Sequence, residues 1–254
     1  MDTLPANVRY SHLTWNCPLS ASSAKHLIHK LELDAEKTIV DIGCGWGELL
    51  LRATKQSGAA AVGVDTDADL LARCKSSADK QNVTIELVNM PGQEWKVQCD
   101  RAICIGSSHA FGGTRQMLES LATIVPHGRV LVGDMCWERP PSKECVEVFG
   151  DEVLSLKSIV ALCRETGWKL MHLETATQQD WDAFESGHRA GAREWLLKNP
   201  DDPKAGKVME DLAKREDCYF GTYRGQLGFV FAILSSEEET RSPVLAGNKR
   251  HRPK

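Results

Sequence analysis

Apolar and polar positions alternate along the chain in blocks whose period switches between helix and strand. Ala24, Leu27, Ile28 and Leu31 fall at helical spacing behind Ser20, a residue suited to cap a helix N-terminus. A polar turn follows, and then the apolar run Thr38 to Ile42, which predicts a buried strand. Glu48 to Lys55 predicts a helix closed by Gly58. The same alternation predicts strands over Ala60–Val64, Val83–Val88, Arg101–Ile105 and Arg129–Gly133, with helices over Ala68–Ser77 and Thr114–Val125. Strand and helix in regular succession predict a parallel sheet covered on both faces.

The last third is patterned differently. Leu156–Glu165 predicts a helix and Trp168–Ala176 a strand. About fifty residues of helical pattern then precede a final strand, Leu227–Leu234, with a break at Asn199-Pro200-Asp201-Asp202-Pro203. This divides the chain into an N-terminal helical segment (1–37), an α/β domain (38–235) carrying a helical cap (about 178–225), and a tail (236–254). The tail has an acidic run and a basic end without core-forming periodicity, and disorder is expected there.

Composition narrows the function classes. Apolar residues make up 42% and charged residues 26%, so a sizeable core can be buried. The formal net charge of −4 gives no global attraction to nucleic acid. No apolar stretch reaches membrane-spanning length, and the first ten residues lack the apolar run of a secretory signal. A cytoplasmic protein is the expectation. The nine cysteines have no C-x-x-C spacing and sit mostly in apolar runs, which fits buried reduced thiols, and no metal site is expected anywhere in the chain.

The sharpest chemical signal is Asp41-x-Gly43-x-Gly45-x-Gly47 between a strand and a helix. Glycines let the backbone turn tightly and approach a ligand with no Cβ in the way. The helix that follows presents free N–H groups. Asp65 ends the second strand, where a carboxylate can accept hydrogen bonds from ribose hydroxyls. A dinucleotide loop would carry its third glycine at position 48, which is Glu48. A phosphate loop of the G-x-x-x-x-G-K-[ST] type is absent.

The run Val40-Asp41-Ile42-Gly43-Cys44-Gly45-Trp46-Gly47, with Val64-Asp65 after it, resembles class I S-adenosylmethionine (SAM)-dependent methyltransferases. The segment from Gln179 to Asp202 resembles a little-characterised bacterial branch of that superfamily. The resemblance implies a Rossmann-like, mostly parallel seven-stranded sheet with an antiparallel last strand. It also implies SAM as cofactor, held by Asp41, Gly43, Gly45, Gly47, Asp65 and Gly106. Where such enzymes often place an adenine-binding Asp after the third strand, this chain has Met90, and Gln93 is the candidate for that contact.

The fourth strand runs into Gly106-Ser107-Ser108-His109, at the strand ends where open α/β sheets bind ligands. His109 reads either as a general base or as a structural histidine. Ser108 and Trp137 are candidates for an acceptor pocket. Trp181, Phe184, His188 and Trp195 form one stripe on the cap, and Arg189, Arg193, Tyr219, Tyr223 and Arg224 are candidates to face a polar substrate. The expectation is methyl transfer to O, N or S of a small molecule, without a nucleic-acid or membrane partner. The alternatives are a SAM-binding protein without turnover and a nicotinamide-dependent oxidoreductase.

Overall fold

The sheet is built outward from β1 (Thr38–Ile42), four of whose five residues are buried. The computed structural model describes residues 4–236. Before β1 come α1 (Ala6–Arg9) and α2 (Ala21–Lys30); the Ser20 hydroxyl accepts from the Ser23 N–H, and Ala24, Leu27 and Ile28 are buried as the periodicity requires. After β1 come α3 (Glu48–Ser57), stopped by Gly58 in the left-handed conformation, and β2 (Ala60–Asp65). Asp67 caps α4 (Ala68–Gln81), which leads to β3 (Glu86–Asn89) and β4 (Arg101–Ile105). Then follow α5 (Thr114–Ile124), β5 (Arg129–Trp137), α6 (Lys143–Phe149), α7 (Leu156–Glu165) and β6 (Trp168–Thr175). The cap consists of α8 (Gln178–Lys198), opened by a Thr177–Asp180 capping box, and α9 (Ala205–Cys218), which runs into a π-turn over Tyr219–Tyr223. β7 (Leu227–Ser236) completes the sheet.

The seven strands lie in the order β3-β2-β1-β4-β5-β7-β6. The pairings from β3 through β5 are parallel, and β7 enters antiparallel between β5 and β6. This is the Rossmann-like arrangement that the resemblance implies, with the last strand reversed. One face packs on α2, α3 and the cap through Leu27, Leu50, Phe231 and Ile233. The other packs on α5 and α7 through Leu118, Leu121, Ile159 and Leu234.

Several boundaries differ from expectation, β3 starting only at Glu86 and α4 running on to Gln81 among them, and three differences have clear physical reasons. β5 continues past Gly133 to Trp137, because Asp134–Trp137 find antiparallel partners in Leu227–Val230 of β7. α6 is only two turns long, too short to register as a helical period, and is held by the Ser142 cap. Ser236, expected in the tail, is the last residue of β7 and exchanges hydrogen bonds with Gly128. The expectation for the rest of the tail lies outside the described residues.

Candidate active site

Two openings meet at the carboxyl ends of the parallel strands. The first is a cleft of about 270 Å³ formed by the glycine loop, the end of β2 and the segment before α2. Gly43, Gly45 and Gly47 have φ of 76°, 55° and 69°, left-handed values that favour glycine. Their reasons differ. A Cβ on Gly43 would lie 2.0 Å from the Ser107 Oγ, and one on Gly47 would lie 2.2 Å from the Cys74 Sγ. A Cβ on Gly45 would meet nothing nearer than Leu70 at 4.0 Å, so at Gly45 the missing side chain leaves room in the cleft rather than in the core. The Gly43 and Cys44 N–H groups both donate to the Val64 carbonyl, at 2.8 and 3.1 Å, tying the loop to β2.

Asp65 stands across the loop. Its Oδ2 accepts from the Gly45 N–H at 2.7 Å and its Oδ1 from the Asp67 N–H at 2.9 Å. Asp41 lies deeper in the cleft and is 5% exposed. Burial, with the nearby negative charge of Asp65, pushes its pKa up to about 8.

The second opening is a cavity of about 870 Å³ between the strand ends and the cap. Trp181 and Phe184 of α8, Phe149 of α6 and Phe229 of β7 give it aromatic walls. Its polar end is built on Glu185, which is 1% exposed. The Arg215 guanidinium donates two bonds to the Glu185 carboxylate, at 2.8 and 2.7 Å, and the Tyr223 hydroxyl donates a third at 2.8 Å. Burial and the Glu185 charge raise the Tyr223 pKa, which keeps it a phenol. The Trp181 indole N–H is buried and has no hydrogen-bond partner among the described residues.

Asn16, Cys17, Gly106 and His109 line both openings. His109 is exposed and sits on a short 3₁₀ turn, Ser108–Phe111, after β4. When protonated, His109 would favour the carboxylate of Asp134, which lies just past the predicted end of β5, as do the nearby Ser108 and Thr114 side chains. Burial nevertheless raises the Asp134 pKa. Burial and the Asp41 charge raise the Cys17 thiol pKa, so this residue stays a neutral thiol.

Of the residues singled out in the sequence, Asp41, Gly43, Gly45, Gly47, Asp65 and Gly106 converge on the cleft, and Ser108 and His109 on the cavity. Two do not. Gln93 is exposed on the 3₁₀ turn Gly92–Glu94 and is absent from the cleft lining; its neighbour Gly92 faces the cleft instead. Trp137 is 6% exposed in the core, packed edge-on against Phe149, and lines neither opening. Of the cap candidates only Tyr223 reaches the cavity. Arg193 pairs with Glu216, and both Arg224 and the Tyr219 hydroxyl bind Asp182. Arg189 lies between Glu185 and Glu216, over the Tyr219 and Phe220 rings. Sequence reasoning did not find Asn16, Asp134, Glu185 or Arg215. Asp134 carried a signal, being an acid after a β-strand; the others lie in a loop and in helices whose placement is tertiary.

The family model for mycolic acid cyclopropane synthetase matches residues 20–180. The chain belongs to this family. It is thereby a member of the class I SAM-dependent methyltransferase superfamily, and it is similar to YjhP of Escherichia coli K12. YjhP is 29% identical over 209 residues, which cover 78% of this chain and 84% of that protein. Two solved structures show the same fold. A SAM-dependent methyltransferase from Geobacter sulfurreducens, in complex with S-adenosyl-L-homocysteine, superposes with a TM-score of 0.84 at 24% identity, covering 92% of this chain and 99% of that one. The cyclopropane synthase MmaA2 from Mycobacterium tuberculosis gives a TM-score of 0.70 at 17% identity, covering 85% and 83%.

Proposed function

We propose that this methyltransferase holds SAM in the glycine-loop cleft and transfers its methyl group to an O, N or S atom of a small molecule in the adjoining cavity. The observation that carries the reading is the shared wall: His109, Gly106, Asn16 and Cys17 border both openings, so a donor in one and an acceptor in the other meet at the strand ends.

The cleft residues fit the cofactor. The space left at Gly45 admits close backbone contact, and Asp65 keeps lone pairs beyond its two bonds to the loop for ribose hydroxyls. The buried Asp41 complements a cationic ligand, because a nearby positive charge favours the carboxylate. SAM supplies a methyl group already activated by the positive sulfonium. What remains for the chain is alignment of the acceptor and exclusion of water. The aromatic walls of the cavity do the second. The Glu185–Arg215–Tyr223 cluster and the unpartnered Trp181 indole offer polar contacts for an acceptor with a hydrogen-bonding group.

His109 takes the acceptor's proton where the acceptor is protonated, and Asp134 with Ser108 orients and polarises that corner. The cavity volume fits a small molecule, and the acidic charge balance gives no attraction to nucleic acid. Among the described residues no helix is long and apolar enough to cross a membrane.

The test is incubation of the purified chain with methyl-labelled SAM and a metabolite extract, followed by mass spectrometry of labelled small molecules. Label in O-, N- or S-methyl groups is expected, and it should vanish in Gly45→Val. SAM binding without labelled product from any extract would leave a binding protein and sink the reading.

A further inference from the structure

Away from both openings, β6 forms the edge of the sheet. Its register is interrupted once. Leu170 pairs with Leu234 and His172 with Ile233, so Met171 is an extra residue, a β-bulge. The bulge reverses the alternation of the strand. Trp168 and Leu170 lie opposite Ser236 and Leu234, on the face packed by α5 and α7. An unbroken strand would place residues 172 and 174 there too. Instead His172 and Glu174 lie opposite Ile233 and Phe231, whose side chains belong to the face packed by α2. Bulges commonly re-aim side chains in this way.

On that face the two residues meet His26 of α2. The Glu174 Oε2 lies 3.3 Å from the His172 Nε2 and 3.6 Å from the His26 Nδ1. The three ligand atoms all lie within 4.8 Å of one another. The imidazoles meet edge to face, with centroids 4.8 Å apart. The second carboxylate oxygen, Oε1 of Glu174, is buried and has no hydrogen-bond partner among the described residues. Four-coordinate zinc with ligand distances near 2.0–2.1 Å separates neighbouring ligand atoms by about 3.3 Å. Two of the pairs here are already close to that. Two imidazoles and one carboxylate also form a donor set that such ions take with a water as fourth ligand.

We propose that His26, His172 and Glu174 bind a divalent transition-metal ion of the zinc type, which ties α2 to the edge strand β6. The ion neutralises the half-buried carboxylate and joins residues 146 positions apart in the sequence. It fixes α2, and with it the preceding segment containing Asn16 and Cys17, which borders both openings. The site is structural and does not depend on which acceptor is methylated.

The probe is Co²⁺, followed by Zn²⁺ competition, on the full chain after chelation and dialysis. One equivalent of Co²⁺ should give the visible bands of a four-coordinate nitrogen and oxygen site, with no thiolate charge-transfer band, and Zn²⁺ should displace it. His172→Ala and His26→Ala should each weaken Zn²⁺ binding by more than about 100-fold, beyond what loss of an outer-shell partner does. Zn²⁺ should raise Tm in the wild type and not in these variants. If a variant does not fold by circular dichroism, anomalous diffraction at the zinc edge on wild-type crystals decides. A peak between the three side chains supports the site. Thiolate bands, binding unchanged in the histidine variants, no saturable binding, or a peak elsewhere overturns it.

Discussion

The Oδ2 of Asp65 accepts a hydrogen bond from the Gly45 N–H at 2.7 Å, so the acid at the end of β2 is bonded to the loop it faces. Asp65 therefore acts on a bound cofactor in two ways: directly, and by fixing the loop. Hydrogen bonds to charged groups are worth about 1.5–3 kcal/mol, which converts to roughly 10- to 150-fold in affinity. Asp65→Ala should weaken SAM binding by at least the lower figure and also lower the Tm of the free protein. Calorimetry and thermal melts on the same preparation check both. An unchanged affinity would remove Asp65 from the site.

The burial of Asp41 makes binding depend on pH. Its folded pKa is raised to about 8 from an ordinary 3.8, so the folded state holds a proton that the unfolded chain has lost between those values. Stability of the free protein from this group thus falls as pH rises from about 4 to 8. A cationic ligand favours the carboxylate and expels the proton. SAM affinity should therefore rise with pH up to about 8, by at most about tenfold per unit, and then level off. Asp41→Asn should flatten the profile. Calorimetry in buffers of different ionisation enthalpy should detect the released proton in the wild type alone.

His109 lines both openings and is exposed, a placement open to a reacting proton. His109→Ala should slow the chemical step by about 10²–10⁴ for a protonated acceptor and much less for one already deprotonated. SAM affinity should change little. Single-turnover rates across pH are the measurement; a rate loss accompanied by an equal loss of SAM affinity and of Tm would make His109 structural.

Glu185 is the centre of the cap's polar cluster, and removing it leaves Arg215 and the Tyr223 hydroxyl without their acceptor. Breaking a buried pair in this way costs about 3–5 kcal/mol, with the lower end expected here because Arg215 is partly exposed. Glu185→Ala should lower denaturant stability by about 3 kcal/mol. Glu185→Ala combined with Arg215→Met should recover part of it, as an equilibrium urea titration would show.

Gly43 and Gly45 separate folding from binding. A Cβ at Gly43 meets Ser107, whereas a Cβ at Gly45 meets open cleft. Gly43→Ala should lower Tm strongly, and Ser107→Gly should relieve part of the loss. Gly45→Ala should cost about 1–2 kcal/mol for its left-handed backbone and mainly reduce SAM affinity. Melting curves with and without SAM distinguish the two.

The elements that could be read from sequence were those whose partners are local or whose burial is complete. β1 and β4 begin and end where their apolar runs do, because both are central strands ending in a turn. β5 could not be delimited, since its last four residues are held by β7, some ninety positions later. That extension also hid the fate of Trp137, which is turned by strand alternation into the core. Gln93 failed for a local reason. A Cβ at Gly92 would lie 2.5 Å from Ile42, so the chain is pressed against β1 at Gly92 and the next residue points outward. His26, His172 and Glu174 had no sequence signal at all, because a bulge decides which face the last two occupy.

The position of β7 sets a timetable for synthesis. β5 and β6 lie on either side of it and are not neighbours, so the edge of the sheet has no ladder to join until residues 227–236 have been made. Leu227 and Phe229 are also walls of the larger cavity. On a ribosome, the strands β1 to β4 can pair as they emerge, but β6 must wait with an unpaired backbone while the whole of α8 and α9 is translated. The cofactor half of the site is thus assembled early in translation and the acceptor half only at β7, which makes the long interval before β7 the period of greatest exposure to aggregation and to chaperones.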